Sequence, residues 1–307
     1  VGSEMCIRDS YAPGFVLLLK ILVMKIGMNL LLWTTDIDEN LYPIIEKLKE
    51  TGFDGVEVPI GDEGIQRYRD LGKIIKQLDL GCTGVTSIFE DGNPASSNPA
   101  IRAKAIDQMK WRIDMGVELG AEVFCGPYHS AFAYFSGEPP TEEERKNSAE
   151  VMRAAAEYAG QAGIVLTPEA LNRFECYLYN TLDDISELIR EVDHTNFGMI
   201  FDSHHAHIEE KNSSESILNH ADLIKHVHRT ESDRGTPGSG QVRWDEIFSS
   251  LVKIGYDGWL TIEAFSRNKA EFASGINVWR NFQPTLEEVY QDGFQFIQSM
   301  WAKHSLS

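Results

Sequence analysis

GIVLTPE (163–169), FGMIFD (197–202), LIKHVH (223–228) and WLTIE (259–263) are short apolar runs in the second half of the chain, each ending on an acidic or imidazole side chain. Those end residues are Glu169, Asp202, His228 and Glu263. In a barrel of parallel strands the C-terminal strand ends converge on one mouth, so groups far apart in sequence meet there. Three carboxylates and an imidazole make a hard, oxygen-rich set suited to Mn²⁺, Mg²⁺ or Co²⁺. The pattern predicts a metal enzyme.

Working outward, the chain from Met24 alternates short apolar runs with amphipathic stretches of helical length. Strands are predicted at 25–33, 53–58, 80–88, 121–126, 163–169, 196–202, 223–228 and 258–264. Eight runs close a (β/α)8 TIM barrel. Asn98 followed by Pro99 marks a helix start, and Thr141 with Glu144 forms a capping-box pattern before a helix ending near Ala162. Glycines recur where a helix stops and the chain turns into the next strand, as in LGAEVFCG and IGYDGWLTIE. A doubly wound open sheet is the rival, but no GxGxxG follows the first strand.

The 307 residues fit one barrel domain over 24–307, with no linker dividing it. Lys and Arg number 28 against 47 Asp and Glu, a net charge of -19 that repels a phosphate backbone and argues against nucleic acid. Cys6, Cys82, Cys125 and Cys176 form no CxxC pair, so buried thiols in a reducing cytoplasm are expected. Residues 1–23 do not match the rest. FVLLLKILV is short and broken by Lys20, with no cleavage site after it, so neither a signal peptide nor a membrane span is expected. Met24 reads as the natural start, and 1–23 as a non-native or poorly ordered extension.

Each candidate ligand has a bland alternative. Glu169 after Pro168 could be a loop carboxylate, and the His204, His205 and His207 cluster after Asp202 could be solvated. His226 and His228 share one side of a regular strand, so one of them can be a packing histidine. Glu263 between Ile262 and Ala264 would be costly inside a barrel without a partner. The joint case is stronger, because all four candidates occupy the same position in their βα units.

PEALNRFE, FDSHHAHIEE, HVHRTESDRGTPGSG, TIEAF and the later NVWR resemble the D-tagatose and D-psicose 3-epimerases, ketose epimerases among the xylose isomerase-like barrels, from Met24 nearly to the C-terminus. The resemblance implies metal ligation by Glu169, Asp202, His228 and Glu263 of one divalent ion, Mn²⁺ first, with Co²⁺ or Mg²⁺ as alternatives. It implies substrate contacts at Glu175, His205 and Arg234. It implies that the metal polarises the ketose carbonyl and that Glu169 and Glu263, on opposite faces of C3, exchange its proton through a cis-enediolate. Arg234 and His205 would hold charge near C1 and C2, and Glu175 would accept from sugar hydroxyls. A small ketose is the expected partner, and a homo-oligomer, dimer or tetramer, the expected assembly.

Other expectations concern the pocket. Trp33, Phe132 and Trp279 are candidates for its lining, since sugars stack on aromatic rings. The first strand carries Asn29, Leu30, Leu31 and Leu32 where the better-known epimerases carry aromatics. Arg229 and Thr230 place charge beside His228, near the expected mouth. The loop 266–284 is long and aromatic, suited to a lid or a subunit contact. Alternative functions are an aldose-ketose or hydroxypyruvate-type isomerase and a binding barrel without chemistry. The acidic charge disfavours a metal-dependent endonuclease.

Overall fold

The structure is a computed structural model that describes residues 24–306. The segment read as an extension, 1–23 with Cys6, lies outside the described residues. Eight parallel strands follow in order: β1 Lys25–Asn29, β2 Gly55–Pro59, β3 Gly81–Val85, β4 Val123–Gly126, β5 Val165–Pro168, β6 Met199–Asp202, β7 Ile224–Thr230 and β8 Trp259–Glu263. Each lies in or overlaps one of the eight apolar runs. Neighbours pair in sequence order and β1 pairs with β8, so the sheet curls back on itself. Bridges Leu166↔Phe197 and Glu169↔Ile200 join β5 to β6, nearly closing a TIM barrel.

The first run departs from expectation beyond Asn29. There the strand gives way to a turn of 3-10 helix over Leu30–Leu32, because the Asn29 side chain accepts a hydrogen bond from the Leu31 N–H at 2.9 Å.

The main outer helices are α1 Tyr42–Thr51, α2 Ile65–Gln77, α3 Pro99–Leu119, α4 Glu142–Gln161 and α5 Leu182–Val192. Short α6 Ser203–Glu209 and α7 Ser213–Asn219, then α8 Trp244–Lys253, α9 Ala270–Gly275 and α10 Leu286–Ser305 complete the layer. Their starts follow the sequence signals: Asn98 caps α3 through Ala100 N–H, and Thr141 with Glu144 makes the full capping box of α4. The core lies between sheet and helices, where Met28, Phe124, Phe201 and Leu260 are fully buried.

At the floor of the barrel one aromatic side chain spans three strands. Trp259 starts β8 and lies against Gly27, Gly55 and Gly81, which pair across β1, β2 and β3. A Cβ on Gly55 would stand 2.4 Å from the Trp259 ring, and one on Gly81 2.7 Å. These glycines therefore serve a close approach, not only a chain turn.

Candidate metal and active site

The strand ends deliver the four groups that the sequence singled out to one buried point. Glu169 follows β5, while Asp202, His228 and Glu263 lie on β6, β7 and β8. His228 Nδ1 stands 3.9 Å from Glu169 Oε1, 3.8 Å from Asp202 Oδ2 and 3.4 Å from Glu263 Oε1. All four residues are at least nine-tenths buried. Neither His228 Nδ1 nor Glu169 Oε1 has a hydrogen-bond partner among the described residues. Buried polar atoms are normally paired. Three carboxylate oxygens around an imidazole nitrogen, two of these atoms orphaned, form a donor set that fits a hard divalent cation.

Each member is fixed from behind. Asp202 caps α6: its Oδ1 accepts from the N–H groups of His204 and His205 at 2.7 and 2.9 Å, and Thr230 donates its hydroxyl to Oδ2. His129 donates from Nε2 to the Glu169 carbonyl at 2.8 Å, and burial pushes this imidazole's pKa down to about 4. Asn29 bridges two carboxylates, donating to Glu57 at 2.9 Å and to Glu263 at 3.3 Å.

Glu57 on β2 was not singled out in the sequence, yet it is the hub of the interior. It is fully buried, and its two oxygens receive Asn29, Thr83 Oγ1 at 2.9 Å, Cys125 Sγ at 3.2 Å, His226 Nε2 at 2.8 Å and His228 Nε2 at 2.7 Å. Burial opposes its charge, but the two histidines outweigh burial and hold its carboxyl far below the usual range. A signal existed in GFDGVEVPI, a lone Glu in an apolar run, the same feature that marked Glu263. His226 is the packing histidine of the pair.

Burial also shapes the mouth. It raises Glu169 well above a normal carboxyl, with the neighbouring Glu263 adding to the effect, and pushes Glu263 up to about 7. In His228 burial disfavours the charge, but Glu57 and Glu263 prevail and hold the imidazole well above its usual value.

The three expected substrate contacts form a second network. Arg234 donates to both Glu175 oxygens, at 2.7 and 3.0 Å, and lies over the Phe265 ring at 4.8 Å. Burial pulls the Arg234 guanidinium down, and Glu175 more than restores it. His205 Nδ1 accepts from the Asn172 N–H at 2.9 Å, and its Nε2 lies 3.2 Å from Arg234 Nη2 and 3.7 Å from Glu169 Oε1. Burial, then the Arg234 charge, keeps that ring neutral. Glu231, also missed in the sequence, accepts from Ser232, Gly238, Val242 and Trp244 and so shapes the loop that carries Arg234.

A cavity of about 440 Å³ opens onto these groups, lined by Glu169, Glu175, His205, Arg234 and Glu263. Phe132 lines it, with Leu31, Phe265 and Phe272. Trp33 does not. The turn after Asn29 carries Trp33 out of strand alternation, and it packs on Tyr290 of α10 with ring centroids 6.0 Å apart. Trp279 is 65% exposed and also outside the lining. Arg229 is a further correction: alternation on β7 turns it away from the mouth, against Phe248 at 4.6 Å. Within the loop 266–284, α9 brings Glu271, Phe272, Gly275 and Ile276 to the cavity wall.

Residues 45–300 match the family model of the xylose isomerase-like TIM barrel. A ketose 3-epimerase of Arthrobacter globiformis is 31% identical, over 90% of this chain and 96% of its own length. The chain belongs to the ketose 3-epimerases of the xylose isomerase-like barrels. Within that family, a D-psicose 3-epimerase of Ruminiclostridium cellulolyticum is 29% identical over 88% of this chain and 93% of its own. The crystal structure of a D-allulose 3-epimerase from Methylomonas sp. in complex with D-allulose superposes with a TM-score of 0.84, at 26% identity, covering 91% of this chain and 97% of that one. No helix among the described residues is long and apolar enough to cross a membrane.

Proposed function

We propose that this protein is a metal-dependent epimerase that interconverts ketoses at C3. The observation that carries the reading is the meeting of Glu169, Asp202 and Glu263 within 3.9 Å of His228 Nδ1, beside a cavity that holds an arginine and a neutral histidine. These four residues would hold the divalent ion, manganese before cobalt or magnesium. Once bound, the ion supplies electrostatic polarisation of the substrate carbonyl, which acidifies the neighbouring C–H.

The protein's own groups move the proton. Glu169 and Glu263 approach from β5 and β8, on different sides of the mouth. One carboxylate takes the C3 proton, leaving an enediolate, and the other carboxylic acid delivers a proton to the opposite face. The carbon skeleton is unchanged, and the two glutamates end with their protonation exchanged, to be reset through solvent. Carboxylates are established general acids and bases for proton transfer of this kind. Arg234, fixed by Glu175 and lying beside His205, faces the enediolate oxygens as a preorganised donor.

The test is incubation with a ketohexose in deuterated water. Deuterium at C3 of both epimers supports the reading. Deuterium at C1 with formation of an aldose would instead mark an aldose-ketose isomerase, and absence of exchange a barrel without this chemistry.

A further inference from the structure

One buried charged group of the cavity takes no part in the proton transfer. Arg112 belongs to α3 in the outer layer, yet it lines the same cavity as Glu169 and Glu263 and is only 5% exposed. Its Nε donates to Thr86 Oγ1 at 3.1 Å, and Thr86 donates onward to the Ile60 carbonyl at 2.7 Å, so the guanidinium is held in place. Nη1 reaches the Gln108 carbonyl at 3.4 Å. Nη2 makes no hydrogen bond among the described residues. A carboxylate faces it, Asp62 Oδ1 at 3.7 Å, too long for a direct bond, on a side chain 92% exposed that also lines the cavity.

Position in the barrel gives this pair its meaning. Ile60 and Asp62 follow β2, and Thr86 follows β3, whereas Glu175, His205 and Arg234 follow β5, β6 and β7. In a closed ring of eight strands these groups face each other across the mouth. The cavity lining also includes the apolar Ile60, Phe89 and Pro127 and the hydroxyls of Thr35 and Ser87. A buried guanidinium on such a wall calls for a partner. An anionic group would meet Arg112 but be repelled by Asp62. A hydroxyl suits both sides, since it accepts from Nη2 and donates to the carboxylate.

We propose that Arg112 and Asp62 form a distal subsite that binds the terminal hydroxyl of a six-carbon ketose, selecting it over 6-deoxy sugars. This rests on the ketose reading above and names the substrate class for that site. Arg112 is a specificity-determining residue and takes no part in the proton transfer.

The experiment compares kcat/KM for a ketohexose and its 6-deoxy counterpart in the metal-loaded wild type, Arg112→Met and Asp62→Asn. A site built to hydrogen-bond a hydroxyl discriminates strongly against the analogue that lacks it. The wild type is expected to prefer the ketohexose by at least about 10-fold. That preference is expected to collapse to within about twofold in Arg112→Met and to fall several-fold in Asp62→Asn, whose exposed position keeps folding out of the comparison. Epimerisation without a wild-type preference, or equal losses on both sugars in the variants, would overturn the subsite alone. Failure of the wild type to turn over either sugar would overturn the ketose reading with it.

Discussion

Glu57 Oε1 and His228 Nε2 lie 2.7 Å apart in the closed interior of the barrel, and this contact decides which nitrogen of His228 faces the mouth. With Nε2 donating downward, Nδ1 is left pointing at Glu169, Asp202 and Glu263. A carboxylate behind an imidazole fixes ring and tautomer, and losing such a partner typically weakens metal binding about 10–100-fold. Glu57→Gln is expected to lose Mn²⁺ affinity in that range, read by calorimetric titration of the chelator-treated protein. Unchanged affinity in a folded variant would remove Glu57 from the account.

Glu169 and Glu263 are assigned the proton transfer, so an amide at either position should stop it. Glu263→Gln is expected to keep measurable metal affinity while kcat falls by about 10²–10⁴-fold, the usual scale of general acid-base catalysis. Glu169→Gln should behave alike. Steady-state kinetics beside a metal titration separates loss of the base from loss of the ion.

The pH dependence follows from the raised carboxyls. The folded, metal-free protein holds Glu263 at about 7 against an ordinary 4.5, so it binds that proton more tightly than the unfolded chain. The resulting stability is fully present below about pH 4.5 and is lost as pH rises through about 7. Glu169 shifts in the same direction. Buried His129 and His205, held neutral, act with the opposite sign over the same range, so the carboxyl contribution is read as a difference: the melting temperature of chelator-treated wild type relative to that of Glu263→Gln should fall across this interval. Metal binding must displace the proton, so the gain in melting temperature on adding Mn²⁺ should grow over the same range. Thermal melts from pH 4.5 to 8, with and without Mn²⁺, check both trends.

Trp259 fills the barrel floor, far from the mouth, in space left by Gly27, Gly55 and Gly81. Trp259→Ala is expected to cost about 3–5 kcal/mol of stability, as for other large buried aromatics. The kcat of the protein that remains folded should change little. Denaturant unfolding and initial rates measure the two effects separately.

Much of this organisation was legible in the chain. Strand ends carrying Glu169, Asp202, His228 and Glu263 could be read because polar residues closing apolar runs stand out against a period of two. Glu57 obeys the same logic but sits mid-strand, where its role depends on partners from β1, β3, β4 and β7 that no local pattern reveals. Trp33 misled because the Asn29 side chain ends β1 early, a local hydrogen bond that competes with the sheet. Arg229 misled because proximity to His228 in sequence was taken for proximity in space, whereas adjacent strand residues face opposite ways. Arg112 lies on a helix whose long side chain reaches the cavity from the outer layer, and no sequence periodicity marks that reach.

The central claim is that one cation is held jointly by four strand-end groups. Its most direct test is a crystal of the protein soaked in Mn²⁺, with an anomalous difference map recorded at the manganese absorption edge. The expected result is one peak within bonding distance of His228 Nδ1 and of carboxylate oxygens from Glu169, Asp202 and Glu263. A peak instead among Glu57, Cys125 and His226, or none at a concentration that supports turnover, would contradict it.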